Sequence, residues 1–164
     1  MKQQTGFSLI ELLVVVVIIG IVASIAIPNL MASKQAANDA SAAANLRLLV
    51  SAEQTYFAAA GNGSFGTLAD LNSVGLVDET LASGAKSGYK YNVVPTDATG
   101  GAPAVFDAYA NAAIFSSNGG GTGYKNFYSN ESGVVYENEA GQNNPPDSTS
   151  NIDRKILNGV PIDR

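Results

Sequence analysis

The chain divides by its apolar and polar positions into an almost uncharged opening stretch, an Ala-rich amphipathic stretch and a polar, Gly-punctuated remainder. From Leu12 to Ser33 there are 22 residues without a charge, between Glu11 and Lys34, and Leu12 to Ile19 is unbroken Leu, Val and Ile. A helix needs about 20 mostly apolar residues to cross ~30 Å of hydrocarbon. So many β-branched residues would favour a strand in water, but lipid leaves no backbone N–H unsatisfied, and the stretch reads as a spanning helix. Lys2 and the amino terminus precede it, which places the N-terminus in the cytoplasm and the remainder outside. A secretory signal peptide is the competing reading. The run is longer than an h-region, and neither Ala23-Ser24-Ile25 nor Ala26-Ile27-Pro28 makes a good cleavage site before a polar start. Glu11, at the edge of the hydrocarbon, costs roughly 2.5–3.5 kcal/mol on insertion scales and is a candidate functional residue on that ground.

Beyond Pro28 the pattern turns amphipathic. Leu46, Leu49, Val50 and Phe57 recur at helical spacing, Ala42, Ala52 and Tyr56 extend the stripe, and Lys34, Asp39, Arg47 and Glu53 carry the charges. One helix from Phe7 to about Ala60 would be about 80 Å long, its first half in lipid and its second half laid on a globular head. The stripe reads as core rather than as a ligand surface. Gly61-Asn62-Gly63-Ser64 ends the helix, and Thr67 caps a short segment over Leu68-Ala69-Asp70-Leu71. Alternation then predicts strands at Tyr89, Tyr91 and Val93, closed by Pro95, and from Phe106 to Ala112. Two more, Asn126–Ser129 and Gly133–Tyr136, flank a turn at Asn130-Glu131-Ser132. The expected fold is α+β: a long N-terminal helix on a small antiparallel sheet of three or four strands. Ile152, Ile156, Leu157 and Val160 are expected to pin the C-terminus back on that sheet, after a surface loop from Ala140 to Ser150.

Composition narrows the chemistry. The 164 residues contain no His and no Cys, which removes imidazole bases, thiolate nucleophiles, His/Cys zinc sites and disulfides. Fourteen acidic against nine basic residues argue against a general nucleic-acid binder. Glu131, Glu137, Glu139, Asp147 and Asp153 lack the tight spacing of a Ca²⁺ loop, and no nucleophile–base pair presents itself. Asn118-Gly119-Gly120-Gly121-Thr122-Gly123 lies between strands, without the helix a phosphate cradle needs, and reads as a hairpin loop. Asn62-Gly63-Ser64 and Asn130-Glu131-Ser132 fit a glycosylation sequon but read as turns. No cofactor and no metal are expected.

Gly6-Phe7-Ser8-Leu9-Ile10-Glu11-Leu12-Leu13-Val14-Val15 resembles the N-terminal signature of type IV pilins and of the pseudopilins of type II secretion. The likeness runs on through Ile18-Ile19-Gly20-Ile21-Val22-Ala23 to Ile25-Ala26-Ile27-Pro28. The resemblance implies a pilin fold and the following organisation: a leader over 1–6, a membrane and assembly segment over 7–33, an amphipathic half-helix over 34–60, and a head over 61–164. It implies that a prepilin peptidase cuts between Gly6 and Phe7 on the cytoplasmic face and N-methylates Phe7. Gly6 suits a protease cleft because its backbone carries no Cβ. In a filament the Glu11 carboxylate would meet a neighbouring subunit's amino terminus, which offsets its burial. The alternative for Glu11 is a first-turn acid answering the helix dipole. Gly20 and Pro28 fall where family helices curve or melt, or else are residues that lipid-embedded helices simply tolerate.

The expected partners are further copies of the chain, the prepilin peptidase, an inner-membrane assembly platform and a cytoplasmic ATPase. The expected location is the bacterial inner membrane, single-pass, before assembly, and an extracellular or periplasmic filament after it. A type IV pilus subunit leads and a type II secretion pseudopilin is the alternative. A membrane-anchored adhesion module is more remote, and an anchored enzyme is nearly excluded. Many type IV pilins close their C-terminal region with a disulfide. This chain has no cysteine, so packing and hydrogen bonds must hold that region.

Overall fold

The computed structural model describes residues 7–116, 120–141, 146–148 and 154–162. Its dominant element is α1, Leu9–Ala59, 51 residues long and continuous through Pro28. The helix carries two sequence patterns in series. Before Gln35 its side chains are exposed almost throughout; from Ala42 on, Ala42, Ala43, Leu46, Leu49, Val50 and Ala52 turn one face into a core. Phe57 departs from the predicted stripe: it is 37% exposed, and its ring lies 4.7 Å from that of Phe65 at the margin of the core. One turn from the helix end, it has run past the sheet that covers Leu46 and Leu49.

The chain after Ala59 passes through two short helices, α2 (Leu68–Ser73) and α3 (Glu79–Ala82). Thr67 and Asp70 form the capping pair of α2, the Asp70 carboxylate accepting from the Thr67 amide at 2.8 Å and from its hydroxyl at 2.6 Å. Leu68, Leu71 and Leu81 seat both helices on the core. The strands follow as β1 (Ala85–Lys86), β2 (Tyr89–Thr96), β3 (Val105–Ala112), β4 (Lys125–Asn130), β5 (Tyr136–Glu139), β6 (Asp147–Ser148), β7 (Ile156–Leu157) and β8 (Val160–Pro161). All pairings are antiparallel. The main sheet runs β1-β2-β3-β4-β5-β8, and β6 pairs with β7 apart from it.

The α+β architecture is the one expected, but the sheet has six strands rather than three or four, because two-residue strands are added at both edges. β2 runs through Pro95 instead of stopping at it, and Gly133, Val134 and Val135 belong to the connection before β5 rather than to the strand. Alternation sends Tyr89, Tyr91, Val93, Phe106, Ala108, Ala110 and Phe127 onto α1. The opposite face carries a cross-strand row of Tyr109, Tyr128 and Tyr136, with Tyr109 facing Tyr128 and Tyr128 facing Tyr136.

The C-terminal segment reaches this outer face by a route the sequence reading did not anticipate. Leu157 and Val160 are exposed, Ile156 is half-buried, and Ile152 lies outside the described residues, so the apolar pin is not the one expected. Arg154 does the holding. Its guanidinium donates to both oxygens of Glu131 at 2.7 and 2.6 Å, to the Phe106 carbonyl at 2.8 Å and to Ser148 Oγ at 3.0 Å, and it stands 2.9 Å from Asp107 Oδ1. Ile162 packs against the main core from the other side.

Candidate cleavage and assembly segment

The apolar half of α1 projects clear of the head. Phe7 is 90% exposed, and Leu9 through Met31 present Leu, Ile and Val side chains on every side. A helix apolar all round and uncovered by its own domain belongs in hydrocarbon or among other such helices. Its mean hydropathy over 18 residues is 3.0, with none of that window buried. This is the only described helix long and apolar enough to cross a membrane.

At its start, Ser8 takes the extended conformation of a helix-capping residue, and the Glu11 carboxylate accepts from the Ser8 amide at 2.9 Å. In the single chain, then, Glu11 satisfies one of the open N–H groups of its own first turn. Phe7, Ile10, Glu11, Val14 and Val15 surround one open hollow, an apolar patch with a single carboxylate in it. Gly6 lies outside the described residues. Gly20 sits in the exposed span with open space where a Cβ would go, and Pro28 lies within the helix eight residues later.

Three polar clusters organise the head, and two of them tie it to the helix. Gln35 Nε2 donates to the Gly121 carbonyl and Asn38 Nδ2 to the Thr122 carbonyl, both at 2.8 Å. Asp39 accepts from the Tyr124 amide at 3.1 Å and from the Tyr89 hydroxyl at 2.6 Å. Burial, reinforced by Asp39, pushes the Tyr89 phenol well above its ordinary range. Three residues of one helical face thus read the backbone of the loop before β4, part of the Gly-rich stretch whose residues 117–119 lie outside those described.

The second cluster centres on Glu53, which is fully buried. One oxygen accepts from the Gly66 amide at 3.0 Å, and the other has no hydrogen-bond partner. Burial raises its pKa from 4.5 to about 7, against the lowering effect of the Gly66 hydrogen bond, and nearby Asp70 adds to the rise. The third is the Arg154 clasp. Burial opposes the Arg154 charge, but its hydrogen bonds to the Glu131 and Asp107 carboxylates outweigh it and hold the guanidinium above its ordinary pKa.

Sequence reasoning placed Glu53 among the charges of an amphipathic helix and passed over Arg154. The signal for Glu53 was present: it falls in phase with Leu46, Leu49 and Val50, so its carboxylate had to enter the core. No such phase marks Arg154, whose partners lie 23 and 48 residues away in sequence. Among the described residues no group of three or more His, Cys, Asp or Glu side chains is placed to hold a metal ion. Of the two sequons, Asn130 is buried and accepts from the Ser132 amide and hydroxyl, so it is a turn residue, whereas Asn62 is exposed.

Comparison with a family model falls on the same end of the chain. Residues 1–27 match the prokaryotic N-terminal methylation motif. The chain is 45% identical over 56 residues to type II secretion system core protein G of Vibrio cholerae, a match covering 34% of this chain and 38% of that protein. It is also 45% identical over 56 residues to the type IV wide pilus major component PilA4 of Thermus thermophilus, across 34% and 43% of the two chains. With the type IV major pilin protein PilA of Myxococcus xanthus it shares 44% over 55 residues, 34% of this chain and 25% of that one. The likeness therefore spans about two-fifths or less of the length of these relatives. No solved structure matches the chain. The chain is similar to both type IV pilins and type II secretion pseudopilins, and its long helix on an antiparallel sheet is consistent with the pilin fold.

Proposed function

We propose that the protein is a structural subunit that waits in the inner membrane and polymerises, after processing, into a type IV pilus-like filament. The observation that carries this reading is α1: an apolar, wholly exposed half-helix bearing the methylation motif, continuous with a half-helix that forms the core of a head. In this reading residues 1–6 are the leader, Gly6–Phe7 is the cleaved bond, and Phe7 receives the methyl group. Residues 7–33 anchor and then assemble, residues 34–60 carry the head, and residues 61–164 form it. Glu11 exchanges its Ser8 amide for a neighbour's new amino terminus, and Gly20 and Pro28 give the anchor its bending points.

Moving the helix from lipid into a bundle of such helices gains little hydrophobic energy, so the small residues Gly20, Ala23, Ser24 and Ala26 supply close approach and the Glu11 pair supplies register. A peptidase, an inner-membrane platform and a cytoplasmic ATPase act on the subunit in this scheme, with other copies as its lasting partners. The finished filament is extracellular or periplasmic. A type II secretion pseudopilin is the second reading, favoured by the Vibrio cholerae match. No catalytic role is proposed.

Electron microscopy of sheared surface fractions, with mass spectrometry of the filaments, tests the reading. Abundant thin filaments whose subunit begins at an N-methylated Phe7 are expected. Filaments lacking the chain, in cells that make it in quantity, would remove the pilus reading, and a mature chain starting elsewhere or unmethylated would remove the processing.

A further inference from the structure

Where α1 leaves its apolar run, the head comes down to meet it. Gln35, two residues past Ser33, is the first buried residue of the helix. Its bond to the Gly121 carbonyl and that of Asn38 to the Thr122 carbonyl set the loop before β4 against this point. The end of β3 is tied to the same loop: the Thr122 amide donates to the Ile114 carbonyl at 2.8 Å, and the Ile114 amide to Thr122 Oγ1 at 3.0 Å. A Cβ on Gly121 would lie 2.8 Å from the Ile114 carbonyl oxygen and 3.0 Å from the Ser116 amide nitrogen. These contacts hold Ile114, Phe115 and Tyr124 between the axial levels of Gln35 and Asp39, the latter bonded by the Tyr124 amide. Gln35 stands about 3 Å beyond Ser33 along the helix. Asp39 stands about 9 Å beyond Ser33, and the headgroup layer extends roughly 5–8 Å beyond the hydrocarbon, so these side chains run from headgroup depth to its outer margin.

All three stay out of the core: Ile114 is 58% exposed, Phe115 50% and Tyr124 43%. Phe115 and Tyr124, with Lys125, Glu139 and Ala140, border one shallow hollow. We propose that Ile114, Phe115 and Tyr124 form an interfacial contact with the outer leaflet, laid into the boundary between headgroups and acyl chains beside the spanning helix. This rests on the proposed membrane span, with which the patch is continuous.

The side-chain chemistry fits that depth: an aliphatic and an aromatic hydrocarbon beside a phenol whose hydroxyl stays in the wet layer. Nearby carboxylates are engaged, Asp39 by the Tyr124 amide and the Tyr89 hydroxyl and Glu137 by Lys125 at 2.6 Å. The contact gives the stored subunit a second point of attachment, which fixes the side of the head that faces the bilayer.

The chain has no tryptophan, so a single introduced indole reports on one place alone. The full chain is reconstituted in phosphatidylcholine vesicles brominated either high or low on the acyl chain. Three variants are compared: Phe115→Trp, Val16→Trp in the span, and Val74→Trp at the end of α2. Val74 is 46% exposed and follows Asp70, which neighbours Glu53, itself about 27 Å further along the helix axis than Gln35.

Bromine high on the chain is expected to quench the Phe115→Trp indole to roughly half its intensity, as for an interfacial side chain. Bromine low on the chain should quench it less, and the Val74→Trp indole should be unaffected. Quenching of Val16→Trp by deep bromine with none of Phe115→Trp would overturn the interfacial contact while leaving the span intact. An unquenched Val16→Trp indole would overturn both. Equal quenching of Phe115→Trp and Val74→Trp would mean that the head meets lipid without a preferred side, which also refutes the proposal. Shielding of Phe115→Trp from both lipid bromine and aqueous acrylamide, growing with protein density, would put a second copy on the patch instead.

Discussion

Replacing Glu53 by Gln should remove most of the pH dependence of the head's stability between pH 5 and 8. The carboxyl is fully buried, holds one hydrogen bond from the Gly66 amide, and has a folded-state pKa of about 7 against 4.5 for the ordinary group. Between those values the folded chain keeps a proton that the unfolded chain has released. The contribution is therefore fully present below pH 4.5 and is lost as pH rises through about 7. At about 1.4 kcal/mol per pH unit, this interval is worth about 3 kcal/mol. At ~2–4 °C per kcal/mol for a domain of this size, the midpoint should fall by roughly 6–12 °C between pH 5 and pH 8.

The window is unusually clean. The chain contains no histidine, and the lowered pKa values of Asp70 and Asp78 place their titration below it. Urea and thermal unfolding of the full chain in detergent, followed by tyrosine circular dichroism, supplies the measurement. The Glu53→Gln profile should be nearly flat, because the amide keeps an acceptor for the Gly66 N–H and has no proton to lose. Parallel profiles for the two proteins, or a wild-type stability that rises with pH across this range, would refute the reasoning.

Two further substitutions probe the other ends of the molecule. Glu11→Val should leave membrane insertion unchanged, or improve it by up to about 3 kcal/mol on insertion scales, while abolishing filaments; carbonate extraction and electron microscopy read the two effects, and normal filaments would remove Glu11 from assembly. Arg154→Met strands the Glu131 and Asp107 carboxylates beneath the C-terminal segment and should cost about 2–4 kcal/mol. It should also speed limited proteolysis between Gly141 and Ile162, with Arg154→Lys restoring only part of the loss because an ammonium cannot span both Glu131 oxygens.

The parts of this structure legible in sequence are those with a period. The sequence places helix α1 from Phe7 to about Ala60 and it runs Leu9–Ala59, because an uncharged run and a Leu stripe both persist over many turns. The central strands were legible for the same reason: Tyr89, Tyr91 and Val93 alternate, as do Phe106, Ala108 and Ala110. Strands β1 and β8, each two residues long, contain no period to read. They exist because their neighbours offer an edge.

The C-terminal clasp was illegible for a different reason. Arg154 acquires its meaning only when the fold delivers Glu131 and the Phe106 carbonyl to it, whereas the apolar residues around it advertised a packing role that Leu157 and Val160 do not take. At the N-terminal segment the motif was fully legible. What the structure added there is that Glu11, in the lone chain, already has a donor in the Ser8 amide.

Because α1 passes from span to head as one helix with no linker, the azimuth of the head is set by a residue count. Each residue turns the helix by about 100° and lifts it ~1.5 Å. A single insertion between Ser33 and Gln35 would swing the Gly20–Ala23 side of the span by more than a quarter turn relative to the sheet. Seven added residues would restore the phase to within roughly 20° while raising the head by about 10 Å. The helix is thus a splined shaft as well as an anchor, and the residue count between Ser33 and Gln35 keys the head to the span.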